Sequence, residues 1–272
     1  MTTRISRLFS RLKQENRPAL IAYLTAGDPT PDRTPSLAAA LERGGADLIE
    51  LGVPFSDPVA DGQVIQRAME RALAAGTTLA ATLEIARRIR RHSQIPLLLF
   101  SYLNPLLRRG FETLAREAAA AGIDGCLITD LSVEEASPYV GHLRAAGLDT
   151  VFLAAPTSTP HRLALVARYS SGFVYLVSRT GVTGERDSLS TAVGGLVQAA
   201  RKVTDLPLAV GFGISNADQA CQVGSLADAV AVGSAFVRIV EENVAAEQKL
   251  EALAAELSTG LRRARAPGVV LP

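Results

Sequence analysis

Eight short apolar runs, each parted from the next by a stretch of helical periodicity, constrain this chain more than any other feature. The runs span 19–25, 46–52, 95–102, 123–130, 148–154, 172–178, 206–212 and 227–233. They are nearly continuous Leu, Ile, Val and Ala, the pattern of parallel strands covered on both faces. The segments between them, including 32–43, 78–91, 111–121, 133–146 and 189–203, read as amphipathic helices. Thr30-Pro31-Asp32, Ser132 with Glu135 three residues on, and Thr159-Pro160 mark helix starts. Gly44, Gly122, Gly147 and Gly224 mark helix ends. Eight strand–helix units without a linker predict one closed (β/α)8 TIM barrel, a single domain over residues 1–272, rather than an open sheet. The stretch 4–15 adds a helix before the first strand, and 266–272, after Pro267-Gly268, reads as a loose tail. A glycine-to-aspartate phrase recurs at 45–47, 121–124 and 146–149, the same helix-to-strand turn reused.

Charge excludes some partners. The balance is 28 basic against 27 acidic residues, net +1, which gives no bulk attraction to nucleic acid or to a membrane surface. The arginine clusters Arg87-Arg88, Arg90-Arg91 and Arg262-Arg263 fall at helical spacing and read as solvated faces. No run approaches membrane-spanning length, and the N-terminus has no signal-peptide apolar region. Cys126 and Cys221 form no spaced motif. A cytoplasmic protein is expected.

In such a barrel the chemistry sits at the C-terminal ends of the strands. Glu50 lies inside the second apolar run, where a lone buried charge is costly, so its carboxyl is expected to face the barrel mouth. There it is either a structural acid paired with an arginine or a carboxyl of raised pKa suited to acid/base work. Asp61 follows on a loop restricted by Pro54 and Pro58 and reads equally as a site carboxylate or as a helix N-cap. Strands seven and eight end in Gly211-Phe212-Gly213 and Gly233-Ser234, which together favour a phosphate monoester. The loop 178–187, with Gly181 and Gly184 around Val182-Thr183, reads as a mobile lid. Only three lysines exist, Lys13, Lys202 and Lys249, none at a strand end, so a Schiff base has no candidate. His92, His142 and His161 make no metal spacing, and no metal is expected. Residues alone point to an acid/base lyase or isomerase acting on a phosphorylated small molecule, with Tyr102 and Tyr175 as polar partners.

The fifteen residues 48–62, Leu48-Ile49-Glu50-Leu51-Gly52-Val53-Pro54-Phe55-Ser56-Asp57-Pro58-Val59-Ala60-Asp61-Gly62, closely resemble the signature of tryptophan synthase α subunits. So do Tyr23-Leu24-Thr25-Ala26-Gly27-Asp28-Pro29, Tyr102-x-Asn104-Pro105, and the stretches 178–184 and 211–215. The resemblance covers nearly the whole chain in order. Gln63, Ser132 and Ala229 depart from the residues usual at their positions.

The resemblance implies retro-aldol cleavage of indole-3-glycerol phosphate to indole and glyceraldehyde 3-phosphate. By it Glu50 and Asp61 are catalytic. Tyr23, Phe100, Tyr102, Leu127, Thr129, Leu153, Tyr175 and Thr183 would surround the substrate, and Gly184, Phe212, Gly213, Gly233 and Ser234 would hold its phosphate. Asp57, Pro58, Asn104 and Leu107 would meet a β subunit in an α2β2 assembly. That partner would carry pyridoxal phosphate, and this chain would need no cofactor. A stand-alone indole-3-glycerol phosphate lyase and a non-catalytic regulatory subunit are the other readings.

Overall fold

The computed structural model describes residues 3–177, 186–211, 213–242 and 244–265. Nine parallel strands form one sheet: β1 Ala19–Thr25, β2 Leu48–Gly52, β3 Leu97–Ser101, β4 Gly125–Ile128, β5 Asp149–Val151, β6 Leu153–Ala154, β7 Val174–Val177, β8 Leu208–Gly211 and β9 Ala229–Val232. Their order is β5-β4-β3-β2-β1-β9-β8-β7-β6. The two end strands are consecutive in sequence, separated by Phe152 alone, and pair outward to β4 and β7. The fifth apolar run is thus one strand broken at its centre, and through it the sheet closes into the expected barrel.

Side chains alternate across the barrel wall. Ala19, Ile21, Leu48, Leu98, Leu127, Val151, Phe173, Ala209, Ala229 and Ala231 fill the interior. Leu20, Ala22, Ile49, Leu51, Leu97 and Leu99 pack outward against the helices. The helix Arg4–Gln14 plugs the N-terminal end, its Ile5, Leu8, Phe9 and Leu12 joining the interior core. Phe9 meets Phe173 with ring centroids 5.7 Å apart.

Aspartates just ahead of strands lie at this same end, Asp47 and Asp124 from the recurring phrase and Asp228 outside it. Asp47 accepts the backbone N–H of Leu20, Asp124 that of Leu97 and Asp228 that of Leu208, each at 2.9 Å. Each aspartate ties the start of its strand to the start of the preceding one. Arginines cover them: Arg17 on Asp47 (2.8 Å), Arg90 on Asp124 (3.1 Å) and Arg265 on Asp228 (3.2 Å). Arg90 also donates to the carbonyls of Gly122 and Ile95, so it is a half-buried anchor and not part of a solvated face. Polar work at the bottom of the barrel is structural, which leaves the top for chemistry.

Several local expectations are corrected. The segment 133–146 is a 3-10 turn, Val133–Glu135, followed by a helix, Ser137–Ala145; Pro138 cannot donate mid-helix and sits in the first turn of a new one. Ser132 makes no capping bond. The helix expected from Asp32 starts at Thr34, with Pro35 in its first turn and no side-chain cap. Thr159 does cap, accepting from Arg162 N–H at 3.2 Å. Left-handed terminators include Gly45, Gly76, Gly122 and Gly147; Gly44 keeps a right-handed helical φ and Gly224 is still helical. A helix at Leu103–Arg109 was not legible from its short apolar pattern. The final helix ends at Arg263, before Pro267-Gly268, and the tail 266–272 lies outside the described residues.

Candidate active site

A cavity of about 590 Å³ opens at the C-terminal end of the barrel, within the roughly 300–1,000 Å³ common for small-molecule sites. Glu50 enters it from β2. With Leu48 and Gly52 it belongs to the inward row, while Ile49 and Leu51 face the helices. The side chain is 1% exposed, and its Oε1 is buried without a hydrogen-bond partner. No arginine pairs with it among the described residues, so the structural-acid alternative fails. Burial lifts its pKa from 4.5 to about 8.

Asp61 reaches the same cavity from the loop after β2. It is not a helix cap: the helix Gln63–Ala74 has Gly62 at its N-cap and no side-chain capping bond. The Tyr102 hydroxyl instead donates to Asp61 Oδ2 at 2.6 Å and accepts from Ala60 N–H at 2.9 Å. The Tyr102 ring stacks on Phe55, centroids 5.2 Å apart. One residue just after β3 thus fixes three points of the mouth loop. Burial raises the Asp61 pKa, opposed by the Tyr102 hydrogen bond.

Two tyrosines lie across the interior because glycines make room. A Cβ on Gly52 would stand 2.2 Å from the Tyr23 hydroxyl, and one on Gly211 would stand 2.1 Å from the Tyr175 hydroxyl. Tyr23 is the register partner of Glu50, meets Phe100 edge-on at 5.4 Å and shares a 3.2 Å hydrogen bond with Thr25 Oγ1. Burial, the largest cause, holds both phenols protonated well above their ordinary pKa. Tyr23, Phe100, Thr129, Leu153 and Tyr175 all line the cavity. Leu127 lies in the interior core, packed with Phe100, Leu153 and Tyr175. Tyr102 is behind Asp61, outside the lining.

The far corner is built of backbone. Gly211, Gly213, Gly233 and Ser234 line it, and Gly213 takes a φ of +49°, which a side chain rarely adopts. The helix Ser234–Glu242 starts there, and Val237 N–H is bonded to the Gly233 carbonyl. The N–H groups ahead of it have no carbonyl of their own helix to bind and point out of its start. Phe212, Thr183 and Gly184, with the rest of the loop 178–185, fall outside the described residues. No group of three or more His, Cys, Asp or Glu among the described residues is arranged to hold a metal.

Ile65, Ile214, Ser215 and Arg238 also line the cavity and were not singled out from sequence. Arg238 carried the one available signal, a cation four residues after Ser234.

The profile of a family described as tryptophan synthase alpha chain matches residues 9–265. The chain belongs to that family. It is 68% identical over 261 residues to the tryptophan synthase alpha chain of Solibacter usitatus, covering 95% of this chain and 98% of the relative. It is 49% identical over 245 residues to that of Geobacter sulfurreducens, covering 90% and 93%. Among solved structures, tryptophan synthase of Mycobacterium tuberculosis superposes with a TM-score of 0.89 at 40% identity, covering 96% of this chain and 99% of the matched one. The tryptophan synthase subunit alpha of Legionella pneumophila gives 0.87 at 36%, covering 97% and 98%. Membership in the tryptophan synthase alpha chain family fits a barrel whose acid, glycine corner and mouth loop share one cavity.

Proposed function

We propose that this chain cleaves indole-3-glycerol phosphate into indole and glyceraldehyde 3-phosphate, as a lyase of tryptophan biosynthesis. The observation that carries the reading is Glu50: a buried, unpartnered carboxyl with a pKa near 8, in one cavity with a second carboxyl and a glycine-lined corner.

Near neutral pH Glu50 starts protonated. It donates its proton to the indole ring carbon bearing the glycerol phosphate chain. The resulting carboxylate takes the proton of the neighbouring side-chain hydroxyl, and the carbon–carbon bond breaks as that oxygen becomes the aldehyde. The electron pair of the broken bond restores the aromatic ring, and Glu50 is protonated again. Asp61, ionised, accepts the indole N–H and opposes the positive charge that the ring carries after protonation. Tyr23, Phe100, Thr129, Leu153 and Tyr175 enclose the ring, with Leu127 beneath and Tyr102 holding Asp61. The N–H groups at Gly213, Gly233 and Ser234, with Gly184 and Phe212, bind the phosphate at the start of the helix Ser234–Glu242.

Every step uses this chain's own carboxyls, and no cofactor is required of it. Indole is taken up by a β subunit carrying pyridoxal phosphate, which docks at the mouth through Asp57, Pro58, Asn104 and Leu107 in an α2β2 assembly. Leu107 is 55% exposed and Val59, beside Pro58, 85% exposed, an apolar pair suited to such a contact. No helix among the described residues is long and apolar enough to cross a membrane; the cytoplasm is the expected compartment. The test is indole release from indole-3-glycerol phosphate, with and without a β subunit. Absence of indole under both conditions overturns the reading.

A further inference from the structure

Arg238 is the one cation among the described residues that line the cavity. It sits on the helix Ser234–Glu242, four residues after Ser234, so the two side chains leave the same face. Side chains on a helix tilt toward its N-terminus. A long side chain at 238 is thereby carried back toward Gly233 and Ser234, the glycine corner.

The local ion pairs leave Arg238 aside. Glu241, three residues on, is held by Arg67 at 2.7 Å and by Arg71 at 2.9 Å. Glu242, four residues on, is held by Lys249 at 2.7 Å. Both carboxylates within helical reach are thus neutralised by other elements. Arg238 itself makes no ion pair or hydrogen bond among the described residues. The cavity it borders contains two carboxyls, Glu50 and Asp61, and is meant to receive a phosphate monoester. A helix start supplies only about half a positive charge, against a group carrying nearly two negative ones.

We propose that Arg238 is the cationic contact of the substrate's phosphate and sets the affinity of the site for phosphorylated ligands. This rests on the glycine corner being the phosphate site. Arg238 takes no part in bond cleavage; it holds the phosphate end while Glu50 and Asp61 act on the ring. Because the guanidinium is exposed, its removal leaves the core intact.

The test compares wild type, Arg238→Ala and Arg238→Lys, each shown to be folded by its thermal transition. Calorimetry measures binding of glycerol 3-phosphate, of glycerol and of indole; turnover is measured on indole-3-glycerol phosphate. A lost charge-assisted hydrogen bond predicts that Arg238→Ala raises KM and the glycerol 3-phosphate Kd about 10- to 100-fold. Indole affinity and kcat should stay within about twofold, and lysine should restore most of the loss, since it keeps the charge without the fork. The wild-type KM should also rise with salt more steeply than that of the alanine variant. Unchanged KM in Arg238→Ala, or an equal loss for indole and glycerol 3-phosphate, overturns the proposal. Wild type binding glycerol 3-phosphate no better than glycerol would instead overturn the phosphate corner itself.

Discussion

The Tyr102 hydroxyl donates to Asp61 Oδ2 at 2.6 Å, joining the end of β3 to the loop that follows β2. The contact spans 41 residues of sequence and fixes the orientation of the Asp61 carboxylate. Replacing Tyr102 with Phe keeps the stack on Phe55 and removes the hydroxyl, both as donor to Asp61 and as acceptor for Ala60 N–H. Cleavage is expected to slow about 5- to 50-fold, since a hydrogen bond to a charged group is worth roughly 1.5–3 kcal/mol and only part of it bears on the transition state. Asp61→Asn should cost more, about 10²–10³-fold, because it removes the charge opposing the ring cation. Steady-state kinetics on the two variants check the order. Asn activity equal to wild type would mean that charge at 61 is not used.

Glu50→Gln is expected to abolish turnover while preserving the fold. The amide keeps the shape of the acid but has no proton to give and no base to take one, and such groups contribute about 10²–10⁴-fold. The same assignment predicts that kcat/KM of wild type falls as pH rises through about 8, where burial places the Glu50 pKa and the acid form is lost. A profile flat from pH 6 to 9.5 would contradict it.

Stability should carry the same signature. Glu50 has a pKa of about 8 in the folded chain against an ordinary value of 4.5, so between these values the folded state binds the extra proton. The stability present below about pH 4.5 is therefore lost progressively up to about pH 8, and the penalty is full above it. Glu50→Gln cannot ionise and escapes this loss. Urea unfolding at pH 6 and pH 9 should show the variant gaining on wild type at the higher pH, by on the order of 1–3 kcal/mol after allowing for water in the cavity. Parallel behaviour of the two proteins would mean that Glu50 is solvated as in the unfolded chain.

Much of this was legible in the sequence, for identifiable reasons. The barrel followed from run length and composition, because strands buried on both faces admit few polar residues. Glu50 stood out because a charge inside such a run must either find a partner or be used. The role of Asp61 was not decidable, because an N-cap and a site carboxylate look alike before a helix; only the Tyr102 contact and the cap at Gly62 separate them. The break of the fifth strand at Phe152 was hidden, since it depends on backbone pairing that apolar periodicity does not record, whereas the restart of the helix at Ser137 was signalled by Pro138, which cannot donate mid-helix. Arg238 was hard to weigh too, because its importance lies in the prior engagement of Glu241 by Arg67 and Arg71, far off in the sequence, and of Glu242 by Lys249 on the next helix.

Gly52→Ala tests the steric basis of the site. Its Cβ would fall 2.2 Å from the Tyr23 hydroxyl and 2.6 Å from the adjoining ring carbon, so the ring must turn into the cavity or the strand must shift. Overpacking of this kind typically costs about 1–3 kcal/mol. The lost volume lies beside Glu50, so substrate affinity should weaken at least tenfold while the thermal transition stays cooperative. Wild-type affinity in a folded Gly52→Ala protein would show that Tyr23 does not hold the position described.

The last prediction concerns the mouth as a docking surface. Val59 and Leu107 are large apolar side chains left open to solvent, on the loop that carries Asp61 and on the helix that follows Tyr102. Placing Asp at both should leave the isolated chain nearly as stable as before, since exposed substitutions usually change stability by about 0.5 kcal/mol or less. Binding to a β subunit should weaken at least tenfold, because a charge would be buried without a partner. Tyr102, at the N-cap of the helix that bears Leu107, ties the same loop down through Asp61 and Ala60, so docking and ordering of the site should favour one another. By linkage, a β subunit that tightens a substrate analogue must itself be held tighter by that analogue, by the same factor, with a coupling of about 1–3 kcal/mol. Calorimetry of the analogue with and without the β subunit, on wild type and on the double variant, measures both. Equal analogue affinities in the presence of a demonstrably bound β subunit would uncouple docking from the site, and the chain would then work as a lyase on its own.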